Sequence, residues 1–268
     1  MPATTGTTGT HAKAGSGRTT GCYVYGIVPG DVQLADETRG VRGGEIKVVR
    51  SADGDLAALV SEVDASQPLG TPEDLQAHEE ILDAAATASP VLPLRFGAVL
   101  TSEDAVASEL LDAHRDQFAK ALRELEGRVQ YLVRGRYVEQ AILKEILSDN
   151  REAAQLAEQI RGSDPDATRD ARIRLGEIIN DAIAAKRADD TQALLTAMEG
   201  HVVAGSVREP THELDAADAA FLVDADKAGE LEHAADELGE DWDGRVELRV
   251  RGPMAPWDFV GGGREARG

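Results

Sequence analysis

Arg128-Val129-Gln130-Tyr131-Leu132-Val133-Arg134-Gly135-Arg136-Tyr137-Val138 decides the fold of the second half of the chain. Val129, Tyr131 and Val133 alternate with their neighbours at a period of two, which predicts a strand with one face toward a core. A helical stretch from about Glu139 to Leu147 leads to an irregular polar patch at Arg161-Gly162-Ser163-Asp164-Pro165-Asp166. A long helix is then expected from Ala167 to about Arg187, with Leu175, Ile179, Ala182 and Ile183 facing inward. It resumes, after a break near Asp189-Asp190, through Leu194, Leu195 and Met198 to Gly200. Strands at His201–Val207 and Ala219–Val223 follow, then a helix from Lys227 to Leu238 and a cleanly alternating Arg245–Val250. The order strand, helix, strand, strand, helix, strand is the split βαβ, or ferredoxin-like, pattern, with helices packed on one face of an antiparallel sheet. The segment near 150–166 enters it as an insertion in the first crossover.

Upstream, Cys22-Tyr23-Val24-Tyr25-Gly26-Ile27-Val28 is apolar and β-favouring and is stopped by Pro29-Gly30. Glu45–Arg50 and Leu56–Val63 flank Ala52-Asp53-Gly54-Asp55, a hairpin signal. Thr71-Pro72-Glu73-Asp74 opens a helix: Thr caps it, Pro starts it, and the acids face the positive end of its dipole. Leu75, His78, Leu82 and Ala85 share one face of this helix, which ends at Ser89-Pro90. After the apolar run Val91–Leu100, a second helix is expected from Ser102 to Gly127, with Val106, Leu110, Phe118, Leu122 and Leu125 on one stripe. The fold class is therefore α+β with two domains. Residues 1–21 form a disordered N-terminal segment, 22–127 an N-terminal α+β domain, 128–251 a C-terminal modified ferredoxin-like (βαββαβ) domain, and 252–268 a C-terminal tail. The low-complexity start and Gly261-Gly262-Gly263-Arg264 cannot bury a core and are expected to be disordered.

Composition narrows the function classes. The chain has 268 residues with 49 acids against 28 Lys and Arg, a net charge of −21. A general nucleic-acid binder needs a basic face to neutralise phosphates, and a polybasic membrane anchor needs the same, so neither is expected. A single cysteine, Cys22, permits no internal disulfide and fits a reducing compartment. No apolar run reaches the ~18 residues of a membrane span, and the N-terminus lacks a secretory h-region, so a cytoplasmic protein is expected.

The search for chemistry returns no catalytic set. Gly15-Ser16-Gly17-Arg18-Thr19-Thr20-Gly21 lacks the lysine and the preceding strand of a phosphate loop. The six histidines offer no helical zinc pair. His78-Glu79-Glu80 reads as a solvated or half-buried helical histidine, Asp189-Asp190 as part of a solvated face, and Cys22 as a core or edge thiol. No cofactor or metal is expected.

Two segments resist so plain a reading. In Pro93-Leu94-Arg95-Phe96-Gly97 one cation sits inside an apolar run. Arg95 either snorkels at a strand edge or is held by a carboxylate or carbonyls at the domain junction, and the paired arrangement is expected because an unpaired buried guanidinium is costly. In Arg251-Gly252-Pro253-Met254-Ala255-Pro256-Trp257-Asp258-Phe259-Val260, prolines and rings crowd a chain with only 4% aromatics, so this tail is expected to dock, with Trp257 and Phe259 at least partly buried.

These segments, with Tyr23–Val28 and Phe221-Leu222-Val223-Asp224, resemble the GvpF/GvpL gas vesicle protein family, in family order and across roughly 22–260. The tail departs from the family pattern Gly-Pro-Trp-Pro-Pro-Tyr-x-Phe: Met254-Ala255 replace the first Trp-Pro, and Trp257 takes the Tyr place. The resemblance implies two α+β domains, the second a modified ferredoxin-like fold. It also implies a non-enzymatic accessory or minor structural protein of gas vesicle assembly, acting with the hydrophobic shell protein and other gas vesicle accessory proteins. Arg95, Phe96, Pro253, Trp257 and Phe259 are the suspected domain-junction or partner contacts. The competing reading is a small-molecule-binding or hydrolytic enzyme with its site in the inter-domain cleft. Converging His, Asp and Arg side chains there would favour the enzyme, and a filled junction the interaction protein.

Overall fold

Strand β1, Thr20–Pro29, is buried on both faces, and the first half of the protein is built around it. The structure is a computed structural model and describes residues 20–33 and 39–260. The disorder expected for residues 1–19 and for Gly261–Arg264 falls outside the described residues. Thr20 and Gly21, assigned by sequence to that leading segment, instead open β1, where they pair with Asp64 and Val63. Strands β2 (Lys47–Arg50), β3 (Leu56–Asp64), β4 (Leu92–Pro93) and β5 (Val99–Leu100) complete an antiparallel sheet of order β2-β3-β1-β4, with β5 also on β1.

A bulge in β1 between Val24 and Gly26 shifts the alternation by one residue. Cys22, Val24 and Ile27 therefore face one layer, and Tyr23, Tyr25 and Val28 the other. Helix α1, Pro72–Ala88, covers the tyrosine layer. It begins with the expected cap: Thr71 Oγ1 accepts from Asp74 N, and the Asp74 carboxylate returns to Thr71 N. The buried side of α1 runs through Asp74, His78, Ile81, Leu82 and Ala86. Leu75, expected on that side, is 43% exposed; the stripe is centred one residue further round the helix.

The opposite layer corrects the expectation of one helix from 102 to 127. A short α2, Glu103–Ala105, passes into a π-helical segment, Val106–Asp112, and α3, Arg115–Leu125, starts after a break. The π turn brings residues five apart onto one side, so Val106 and Leu111 are fully buried while Leu110 is only half-buried. A regular 3.6 periodicity could not indicate this.

The second sheet contains β6 (Arg128–Tyr137), β7 (Ala204–Val207), β8 (Asp215–Asp224) and β9 (Val246–Met254), all antiparallel, in the order β7-β8-β6-β9. Its helices are α4 (Glu139–Asp149), α5 (Arg151–Ile160), α6 (Arg169–Met198) and α7 (Ala228–Asp241). One core joins Val129, Tyr131, Val133 and Phe221 of the sheet to Ile142, Ile183, Leu194 and Leu231 of the helices.

The segment near 150–166, read as an insertion, begins with α5, capped by the Asn150 side chain on Ala153 N, and the polar patch at 161–166 is irregular as expected. One expectation fails: helix α6 runs unbroken through Asp189-Asp190. Asp190 is not on a solvated face: it is 7% exposed, accepts the Tyr137 hydroxyl at 2.5 Å and forms a two-pronged pair with Arg245 at 2.9 Å. A carboxylate satisfied by tertiary partners does not compete for the helix backbone.

Gly176, inside α6, meets nothing within 4 Å where a Cβ would stand. Gly176→Ala is therefore expected to raise stability by about 0.5–1 kcal/mol, read as a higher urea midpoint at unchanged m-value.

Candidate functional site

The two sheets meet where α1, the 93–97 turn and the end of β9 converge. His78 lies there with 2% exposure, which corrects its reading as a solvated or half-buried residue. Both ring nitrogens are used. Nε2 lies 3.1 Å from the Leu94 carbonyl, which can only accept, so Nε2 carries the proton. Nδ1 then accepts from the Tyr23 hydroxyl at 3.0 Å. Tyr23 in turn accepts from Gly97 N at 3.2 Å. The turn is thus held at both ends, and Gly97 occupies φ +90°, a conformation suited to glycine.

This geometry explains the apolar run with one arginine. Phe96 turns inward, its ring centroid 5.9 Å from Tyr23 and 5.6 Å from His78. Arg95 is exposed and makes no hydrogen bond or ion pair with the described residues. The pairing expected for it is absent because its guanidinium remains in water and has no desolvation to offset.

The end of β9 and the residues after it cross from the second sheet onto the first. Gly252 precedes a cis-linked Pro253, which is exposed. A Cβ on Gly252 would lie 2.5 Å from Tyr131 Cδ1, so the chain passes too close to that ring for any side chain. Met254, Ala255 and Pro256 are buried. Ala255 N donates to Asp83 Oδ1 of α1 at 2.9 Å. Trp257, half-buried, places its ring 5.4 Å from His78. Phe259 packs with the layer containing Cys22, Leu122 and Leu222. Between the two rings, Asp258 and Gln130 of β6 bond reciprocally: Gln130 Nε2 donates to Asp258 Oδ2 at 2.8 Å, and Asp258 N donates to Gln130 Oε1 at 3.0 Å. Arg208 adds a contact to the same carboxylate at 2.9 Å.

Phe96 and Trp257 therefore lie together beside His78, Phe259 packs on the other face of the first sheet near Leu222, and Arg95 and Pro253 are exposed. His78, Asp83, Gln130, Arg208 and Asp258 belong to the same construction; the sequence reading weighed His78 and set it aside as a helical histidine, and it did not single out the other four, because their partners are distant along the chain.

A groove of about 260 Å³ remains beside this clamp, lined among others by His78, Asp83, Phe96, Arg208, Arg251 and Trp257, so the His, Asp and Arg side chains named above as favouring an enzyme do converge here. Burial lowers the pKa of His78, opposed by its bond to Leu94, and raises that of Asp83, opposed by the Ala255 amide. Burial likewise pushes Tyr23 up to about 12 and Cys22 up to about 11, leaving both protonated at neutral pH. His78 has no nitrogen free to take a proton from a substrate, and Asp83 is engaged by the backbone. The groove offers apolar contact and a charged rim. Among the described residues, no group of three or more His, Cys, Asp or Glu side chains could hold a metal ion, and no helix is long and apolar enough to cross a membrane.

The histidine sets a pH dependence. Its folded pKa lies below its ordinary 6.5, so the unfolded chain takes up the proton first. Stability from this source is whole above about pH 6.5 and declines as pH falls from there toward the folded value. The urea midpoint is expected to drop between about pH 7.5 and 5.5, and the drop is expected to vanish in His78→Gln. The carboxylates held below their ordinary range, Asp74, Glu145 and Asp215, act only at lower pH.

The family described as gas vesicle synthesis protein GvpL/GvpF matches residues 21–261. Gas vesicle protein F of Streptomyces sp. (strain CB03234) is 34% identical over 242 residues, covering 89% of this chain and 98% of that protein. Gas vesicle protein L of the same strain is 29% identical over 262 residues, covering 89% and 92%. The crystal structure of gas vesicle protein GvpF from Anabaena sp. PCC7120 shares the fold, with a TM-score of 0.72 at 23% identity over 91% of this chain and 99% of that one.

Proposed function

Because the chain belongs to the gas vesicle synthesis protein GvpL/GvpF family, we propose that it is a non-enzymatic accessory or minor structural protein of gas vesicle assembly. On this reading it binds the hydrophobic shell protein and limits its aggregation while vesicles nucleate. It works in the cytoplasm and at the vesicle, beside other gas vesicle accessory proteins. The observation that carries the non-enzymatic part is the closed hydrogen-bond chain from Gly97 through Tyr23 and His78 to Leu94. It commits the junction's imidazole to holding a turn. A net charge of −21 suits a partner that must keep an apolar subunit dispersed.

The same reading divides the chain into domains 22–127 and 128–251 with a tail at 252–268. The strand order β7-β8-β6-β9 supports a ferredoxin-like second domain. Phe96, Trp257 and Phe259 fix how the domains sit, and Arg95 and Pro253, exposed beside them, are available to a partner. Co-expression of the tagged chain with the shell protein tests this. Shell protein should appear in the supernatant and co-purify, and a chain ending at Met254 should recover much less. Shell protein that pellets equally with and without the chain would overturn the proposal.

A further inference from the structure

Strand β9 ends the second sheet. Its one strand partner among the described residues is β6, and its opposite edge is free. Along that edge lies a groove of about 1040 Å³ between β9 and α7, reaching the Asp243-Gly244 turn. Its apolar side comes from Val246, Leu248 and Val250, alternate residues of β9, with Val250 37% exposed. Its polar side comes from Asp236 and Glu240 of α7, Asp243 of the turn and Glu247 of β9, all exposed, with no lysine or arginine in the lining.

A free strand edge supplies a row of backbone donors and acceptors, and alternate side-chain positions beside it supply selectivity. We propose that this edge takes up an extended segment of a partner protein as an added strand. Residues of that segment that face α7 are basic, their aliphatic stems laid on Leu248 and Val250 and their charged heads at Asp236, Glu240 and Asp243; the alternate, apolar residues face the side of Glu247, which is ion-paired with Arg249. A second copy of this chain is disfavoured as occupant. Two-fold pairing of β9 with β9 would bring the same four carboxylates of each copy toward one another. The groove is on the β9 edge rather than at the clamp, and the proposal stands independently of the gas vesicle reading.

The probe is a fluorescent octapeptide of alternating lysine and valine, titrated by anisotropy into the full chain. It is expected to bind one-to-one and to weaken at least about tenfold in Asp236→Lys/Glu240→Lys, both exposed positions outside the core. Glu109→Lys/Asp116→Lys, which changes the net charge equally elsewhere, is expected to leave binding unchanged. Peptide N-methylated on alternate residues should fail to bind in at least one of its two registers, and hydrogen exchange of β9 amides should slow with the unmodified probe. Absence of binding, equal loss in both charge variants, or equal binding of both N-methylated registers would overturn the proposal. So would self-association of the chain through this groove.

Discussion

Trp257→Ala/Phe259→Ala is expected to lower the unfolding free energy by about 2–4 kcal/mol. Each ring is half-buried, so each contributes roughly half of the ~1.5–3 kcal/mol that full burial supplies, and ring–ring contact at the His78 cluster adds ~0.5–1.5 kcal/mol. The substitutions leave β9 and its pairing with β6 untouched, so the loss reports the clamp. Trp242, the other tryptophan, is buried in the second core and remains as a local fluorescence signal. In the variant its unfolding is expected to separate from the far-ultraviolet dichroism of the whole chain, giving two transitions where the parent gives one. An unchanged midpoint with coincident transitions would show that the rings do not join the two units.

The second large effect is expected at Asp190. Asp190→Ala leaves the Tyr137 hydroxyl buried without its acceptor and Arg245 without one of its two carboxylates, the other being Glu145 at 2.8 Å. Removing one member of a fully buried pair costs about 3–5 kcal/mol. Arg245 retains Glu145 and partial access to water, so about 2–3 kcal/mol is expected. A double-mutant cycle with Arg245→Met checks the assignment: the double variant should be clearly less damaged than the sum of the two single ones. Full additivity would mean that Asp190 acts through Tyr137 alone.

Features written in neighbouring residues could be read from the sequence. Thr71, Pro72 and Asp74 mark a helix start because a cap is made within one turn. Asp53-Gly54 marks a hairpin because the turn needs those residues, and the alternation of β6 places its core face. His78, Asp190 and Gln130 could not be read, since their surroundings are set by Leu94, Arg245 and Asp258, far along the chain. The π turn defeated the reading of Leu110 by changing the period itself. Arg95 misled for a different reason: its apolar neighbours are local, but the turn directs Phe96 inward and leaves the guanidinium outside. The tail was legible as a docked segment through its rings and prolines, whereas its hydrogen-bond partners were not.

The position of the clamp in the chain has a consequence for synthesis. β9 completes the sheet beside β6, and Ala255 reaches back 172 positions to Asp83. Until residues 246–259 have emerged from the ribosome, β6 has an unpaired edge and the contact between Ala255 and Asp83 cannot form. Every nascent intermediate therefore displays an open strand and an uncovered apolar junction, the conditions under which chains associate wrongly. A chain that stops before residue 246 would keep that open strand and apolar junction and is expected to aggregate, so residues 246–259 close both units at once.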